Sequence, residues 1–247
     1  VSRRLQLEQD LREAISDEQL VEVYQPQMDL VSGKVVGAEA LVRWNHPERG
    51  LVPPDEFIPM AEDTGLIKAL GEWVLRDACT QAVRWQAEGI GPLQVSVNVS
   101  GRQLREPNFS SIVLDCLDET GLDARYLELE ITETVIMENA EACIVSLLEL
   151  RDQGIRIIID DFGTGYSSLG YLKHFPVSLL KIDRSFVSDI PRDQDDAAIT
   201  SGVIALAKNL GLKVVAEGVE TQEQLEFLRL HNCDMIPGYL LSRPLPA

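Results

Sequence analysis

The chain is poor in positive charge. It holds 22 Lys and Arg against 40 Asp and Glu in 247 residues, a formal net charge of −18. A surface that grips polymeric nucleic acid needs Lys and Arg to displace counterions, so this balance excludes that class. At first sight it also weighs against any anionic small substrate. Histidine is scarce as well. His46, His174 and His231 have no H-x-x-x-H spacing, and a hydrolase built on His-ligated zinc needs more. The four cysteines, Cys79, Cys116, Cys143 and Cys233, include no C-x-x-C pair. That excludes a Cys-rich zinc site and a disulfide framework, and it fits buried thiols in a reducing compartment. There is no apolar run of about 18 residues, hence no membrane span, and no basic-then-apolar start typical of a signal peptide. If a metal is held, its ligands must be oxygens.

What is present is an ordinary globular composition, 45% hydrophobic and 25% charged, which excludes general disorder. Residues 1–18 read as an amphipathic lead-in helix, with Leu7, Leu11 and Ala14 at helical spacing. A chain that enters this helix at once reads as a fragment of a longer protein. Strand-like runs follow at Val21–Leu30, Lys34–Trp44, Leu93–Ser100, Leu127–Thr132, Ile155–Phe162, Leu179–Phe186, Lys213–Val219 and Met235–Ser242. Helix-like runs fall at Leu66–Glu88, Phe109–Thr120, Ala140–Gln153, Asp195–Leu210 and Thr221–Leu230, with a short helix expected after Tyr166. Eight strands alternating with helices predict one α/β domain, a (β/α)8 barrel of the TIM type. Only a turn around Ser32-Gly33 separates the first two strands, so the first strand should run antiparallel.

In such barrels chemistry sits at the C-terminal strand ends. There the sequence places Glu39 and Arg43, then Asn98, then Glu130, Thr132 and Glu133, then Asp160-Asp161, then Lys181 and Asp183, then Glu217 and Glu220. Singly, each has a bland reading: Glu39 or Glu217 as half of an ion pair, Asn98 as a cap, Glu133 as a helix-start acid. As a set, five carboxylates in one mouth do not all ionise without compensation, and Arg43 and Lys181 supply only two charges. Divalent cations are the natural remainder, and carboxylate and amide oxygens suit Mg²⁺ or Mn²⁺. Adjacent residues on a regular strand face opposite ways, so Asp160 and Asp161 cannot both face the axis. Gly163 and Gly165 would let the backbone turn Asp161 back over the mouth, in a loop that closes over the site.

These stretches resemble the EAL-domain family of cyclic di-GMP phosphodiesterases. The naming motif stands as Glu39-Ala40-Leu41, within Glu39-Ala40-Leu41-Val42-Arg43-Trp44. Tyr24-Gln25-Pro26-Gln27 precedes it, and Phe57-Ile58-Pro59 with Ala61-Glu62, Asn98-Val99-Ser100, Glu130-Ile131-Thr132-Glu133, Asp160-Asp161-Phe162-Gly163-Thr164-Gly165, Lys181-Ile182-Asp183 and Ala216-Glu217-Gly218-Val219-Glu220-Thr221 follow in order, over nearly the whole chain. The resemblance implies a modified barrel with an antiparallel first strand, metal-dependent hydrolysis of cyclic di-GMP to linear pGpG, and two Mg²⁺ or Mn²⁺ ions. It implies Glu39, Asn98, Glu130 and Asp160 as ligands of one ion. Asp160 and Asp161 would hold the second, with Glu217 beside it. Lys181 would orient or deprotonate the attacking water, and Glu133 would hold the loop after the fifth strand. Gln25, Leu41, Arg43, Asp183 and Glu220 would touch the substrate.

The resemblance also implies a homodimer, regulatory domains upstream and a cytoplasmic domain whose parent protein can be membrane-tethered. The sequence departs from the family pattern at Pro237, where a Gln is usual, and at Ser178, where Asp is common. The alternative reading is a degenerate module that binds cyclic di-GMP as a receptor without turnover. An enolase-like barrel is a third, disfavoured by the Glu39-Ala40-Leu41 and Asp161-Phe162-Gly163-Thr164-Gly165 stretches.

Overall fold

The computed structural model describes residues 2–17, 19–138, 140–165, 172, 175–237 and 242–247. The short helix expected after Tyr166 lies outside the described residues. Helix α1 (Ser2–Ala14) leads in and buries Leu7, Leu11 and Ala14. A long hairpin follows, β1 (Leu20–Asp29) and β2 (Val35–His46), paired antiparallel from Leu20↔Trp44 to Met28↔Val35. Strand β3 (Gly50–Val52) adds a short antiparallel edge to β2.

Helices α2 (Pro54–Thr64) and α3 (Ile67–Ala87) then lead to β4 (Gln94–Asn98). Next come α4 (Gly101–Leu104), α5 (Phe109–Thr120), β5 (Leu127–Thr132), α6 (Glu133–Glu138), α7 (Ala140–Asp152) and β6 (Arg156–Phe162). The last part holds β7 (Leu179–Ile182), α8 (Arg184–Val187), α9 (Gln194–Asn209), β8 (Lys213–Ala216), α10 (Gln222–Leu230), β9 (Met235–Pro237) and β10 (Leu245–Pro246).

Eight strands close the ring in the order β1-β2-β4-β5-β6-β7-β8-β9, returning to β1. β1 is antiparallel to both neighbours, and the other six ring pairings are parallel. The hairpin spacing therefore read correctly. Helix α2 was not expected, because Pro53, Pro54 and Pro59 look like breakers. Pro54 sits in the first helical turn, where no N–H bond is needed, and Phe57, Met60 and Ala61 are buried. The strand expected over Leu179–Phe186 stops at Ile182, because the Asp183 side chain accepts from Ser185 N–H and starts α8.

Residue parity explains how the mouth is built. Ile158, Leu179, Val215 and Met235 pack together inside the barrel as a small apolar cluster. Three of them stand two residues before Asp160, Lys181 and Glu217, and therefore on the same strand faces. The charged mouth thus rests on an apolar floor. The opposite faces, such as Val97, Leu129, Ile131, Ile157, Ile159 and Leu180, pack under the helices.

The outer side of β1 carries one costly group. Glu22 is 7% exposed, accepts the Tyr24 hydroxyl at 2.7 Å and leaves Oε1 buried with no hydrogen-bond partner. Burial pushes its carboxyl up from 4.5 to about 8, against the Tyr24 bond and with Asp77 adding to the rise. Between those two values folded Glu22 holds a proton that unfolded Glu22 has lost. Stability therefore falls as pH rises through that window. Glu22→Gln is expected to raise the melting temperature by a few degrees, about 1–2 kcal/mol, at pH 8.5 and by almost nothing near pH 5. A thermal melt series across pH checks it; an equal shift at both ends would show that Glu22 does not titrate on unfolding.

Candidate active site

Lys181 lies at the centre of the mouth, 1% exposed. Its Nζ contacts Glu130 Oε2 at 2.6 Å, Glu217 Oε1 at 2.7 Å, Glu39 Oε2 at 3.1 Å and Asp160 Oδ2 at 3.2 Å. These carboxylates come from β2, β5, β6 and the end of β8, so closing the barrel is what assembles them. Burial alone would lower the lysine, but Glu130, Glu39, Asp160 and Glu217 together hold it well above its ordinary range. The carboxylates respond the other way. Burial, then Glu39, drives Glu130 well up; burial drives Glu217 up to about 7; burial, then Asp160, raises Asp161. One ammonium does not neutralise this set. Arg43, the other cation expected to compensate it, directs Nη1 to the Val42 carbonyl at 2.9 Å.

Asp161 reaches the mouth by its own backbone. Its φ is 53°, in the left-handed region, and the β6–β7 register slips between Ile159 and Phe162. The turn expected at the glycines therefore begins two residues earlier, at the aspartate. Gly163 continues it at φ 100°, where a Cβ would meet the Phe186 ring at 3.0 Å. Glu133, the first residue of α6, is 1% exposed and accepts the Gly163 N–H at 2.8 Å. It thus ties the loop just after the two aspartates to the start of α6.

The donor set fits divalent cations. Asp160, Asp161 and Glu217 each offer an oxygen, all within 4.8 Å of one another. Glu130 Oε1 is buried without a hydrogen-bond partner, beside Asn98, whose Nδ2 donates to Glu39 Oε1 at 2.9 Å. Hard oxygen ligands of this kind suit Mg²⁺ or Mn²⁺.

Two openings flank Arg43. A cleft of about 490 Å³ joins Asp161, Asn98 and Leu41 to an apolar wall of α2 and α3 that includes Ile58 and Ile67. An open groove of about 1050 Å³ holds Glu220 and Arg43 on its other side. Gln25 is buried and donates Nε2 to the Ser242 carbonyl at 2.7 Å, an anchor that sequence reading missed. Asp183 spends Oδ1 on capping α8, a role its position before a helical run could have revealed. Pro237 is buried opposite Gln27, whose Nε2 has no partner, so a polar side chain at 237 would face that amide.

These features define a closed, mixed (β/α)8-type barrel with an acidic mouth. The chain belongs to the EAL domain family, whose model matches residues 8–244. It is 48% identical over 244 residues to the bifunctional diguanylate cyclase/cyclic di-GMP phosphodiesterase MucR of Pseudomonas aeruginosa, covering 99% of this chain and 36% of MucR. It is 48% identical over 245 residues to the cyclic di-GMP phosphodiesterase NbdA of the same organism, covering 99% of this chain and 31% of NbdA. The chain thus spans about a third of the length of these curated relatives. A solved structure of the MucR phosphodiesterase in complex with c-di-GMP superposes with a TM-score of 0.94 at 48% identity over 98% of both chains. No helix among the described residues is long and apolar enough to cross a membrane.

Proposed function

We propose that this domain hydrolyses cyclic di-GMP to linear pGpG with divalent cations bound. The observation that carries the reading is the convergence of Glu39, Glu130, Asp160 and Glu217 on Lys181, with Asp161 turned in beside them. Glu39, Asn98, Glu130 and Asp160 would hold one Mg²⁺ or Mn²⁺ ion, and Asp160 and Asp161, with Glu217 adjacent, a second. A bound pair supplies charge neutralisation for the scissile phosphodiester and a water acidic enough to ionise near neutral pH. The residues themselves position the reaction. Lys181, ringed by carboxylates, keeps its proton and orients the attacking water by donating to it. Arg43 meets substrate phosphate or base, Gln25, Leu41, Asp183 and Glu220 line the rest, and Glu133 fixes the loop carrying Asp160 and Asp161. The receptor reading is disfavoured because every acidic ligand candidate and Lys181 is present.

The net charge of −18 sharpens the expectation for metal removal. Without cations the acidic mouth repels an anionic dinucleotide, since bound ions invert the local charge. Incubation with cyclic di-GMP and Mg²⁺ or Mn²⁺ should release pGpG, resolved by chromatography. EDTA should abolish release and weaken binding at least about tenfold. Unchanged affinity in EDTA would refute the repulsion, and binding without product in excess metal would favour the receptor. We further expect a homodimer, regulatory domains upstream in a longer cytoplasmic or membrane-tethered protein, and no polymeric nucleic-acid ligand. The greater length of the relatives supports the second of these.

A further inference from the structure

We propose that Arg243 is a specificity-determining residue that reads a guanine of the substrate in the groove beyond Arg43; this rests on the cyclic di-GMP reading above. Arg243 and Pro244 line that groove together with Arg43, Glu220, Val21, Val23 and Leu51. Val21 and Val23 share the strand face of Gln25, and Arg43 that of Glu39 and Leu41. The groove is therefore the upward continuation of the mouth along the β1–β2 ribbon.

Its chemistry matches one base. A guanine offers O6 and N7 as acceptors and N1–H and N2–H₂ as donors. An arginine is the side chain that pairs with O6 and N7 in a fork, and a carboxylate is the natural acceptor for the opposite edge. Arg243 and Glu220 supply both on one groove, and the Val, Leu and Pro side chains offer apolar surface for the ring faces. An adenine presents a donor where guanine has O6 and would leave the arginine facing an amino group.

The placement of Arg243 is built. The Ser242 carbonyl before it accepts from Gln25 Nε2 at 2.7 Å. Just after it, β10 pairs with β1 through Tyr24↔Leu245 and Val23↔Pro246. Two anchors on β1 thus hold the segment between them at the rim.

Arg243→Ala should raise KM for cyclic di-GMP about 10- to 100-fold and leave kcat within about twofold, as expected for loss of a charged hydrogen bond outside the reacting centre. Arg243 is exposed, so the fold should survive, and equal melting temperatures check that. Arg243→Lys should recover only part of the loss, because an ammonium lacks the fork. The decisive readout is coupling to N7. The 7-deazaguanine analogue of cyclic di-GMP should bind more weakly than cyclic di-GMP to the unmodified protein. The ratio should shrink in Arg243→Ala. An unchanged KM, or an undiminished 7-deaza ratio, would overturn the assignment. The same ratios are read as Kd, so they stand even if no pGpG is formed, an outcome that would count against the hydrolase reading alone.

Discussion

Asp160→Asn is expected to remove divalent-cation binding and pGpG formation together. In the proposed two-ion arrangement Asp160 serves both ion positions. Its Oδ2 lies 3.2 Å from Lys181 Nζ, and its Oδ1 accepts the Asp161 N–H at 2.8 Å, which fixes the carboxyl plane where the strand turns. Asparagine has nearly the same shape, so the turn and the apolar floor under it should persist. What the variant would lose, on that proposal, is a charged oxygen ligand shared by two cations. Several kcal/mol of transition-state stabilisation hang on such charge, which corresponds to a fall in kcat/KM of about 10³-fold or more. Mn²⁺ affinity, measured by calorimetry, should fall with it. Full metal-dependent turnover in the variant would mean that the reaction centre lies elsewhere.

Lys181→Met should expose the second large effect as stability. Four carboxylates touch this one buried ammonium. Breaking a buried ion pair by removing one partner costs about 3–5 kcal/mol. In EDTA the melting temperature should therefore drop by roughly 6–20 °C, at about 2–4 °C per kcal/mol for a chain of this size. Saturating Mn²⁺ should return much of that loss by supplying the missing positive charge, while pGpG formation stays absent. The deficit should also grow from pH 6 to pH 8.5. Glu217 is held up to about 7 by burial with Lys181 pulling it down; without Lys181 it rises further and keeps a proton that the unfolded chain has given up over this range. A deficit that ignores both metal and pH would show that Lys181 acts by packing alone.

Much of this was legible in residues that obey local rules. The apolar run Ile157–Ile159 before Asp160-Asp161, and the gap between β1 and β2, suffice for a barrel strand and an antiparallel pair. The acidic set was legible because each member stands at a predicted strand end. The misses fall where a local rule is overridden. Pro54 and Pro59 hid α2 because tertiary burial of Phe57 outweighs the missing N–H groups. Asp161 was placed correctly for the wrong reason: an aspartate tolerates the left-handed region, and sequence gives no sign of which residue will take it. Asp183 was read as strand, but its carboxylate caps α8. The Gln25–Ser242 bond spans 217 residues, and no short pattern encodes it.

The reversed first strand decides where motion can enter the barrel. In a regular barrel the chain arrives at the floor, far from the chemistry. Here Leu20 begins β1 at the catalytic rim, because β1 runs against its neighbours. Helix α1 is therefore moored at that rim. Its Asp10 carboxylate bonds His46 Nε2 at 3.1 Å, while His46 Nδ1 accepts the Glu48 and Arg49 N–H groups. From His46, one unbroken strand runs back through Arg43 and Leu41 to Glu39, roughly 23 Å at 3.3 Å per residue. A push or twist on α1 thus meets a stiff rod whose far end carries a candidate metal ligand, with no gearing through the barrel floor.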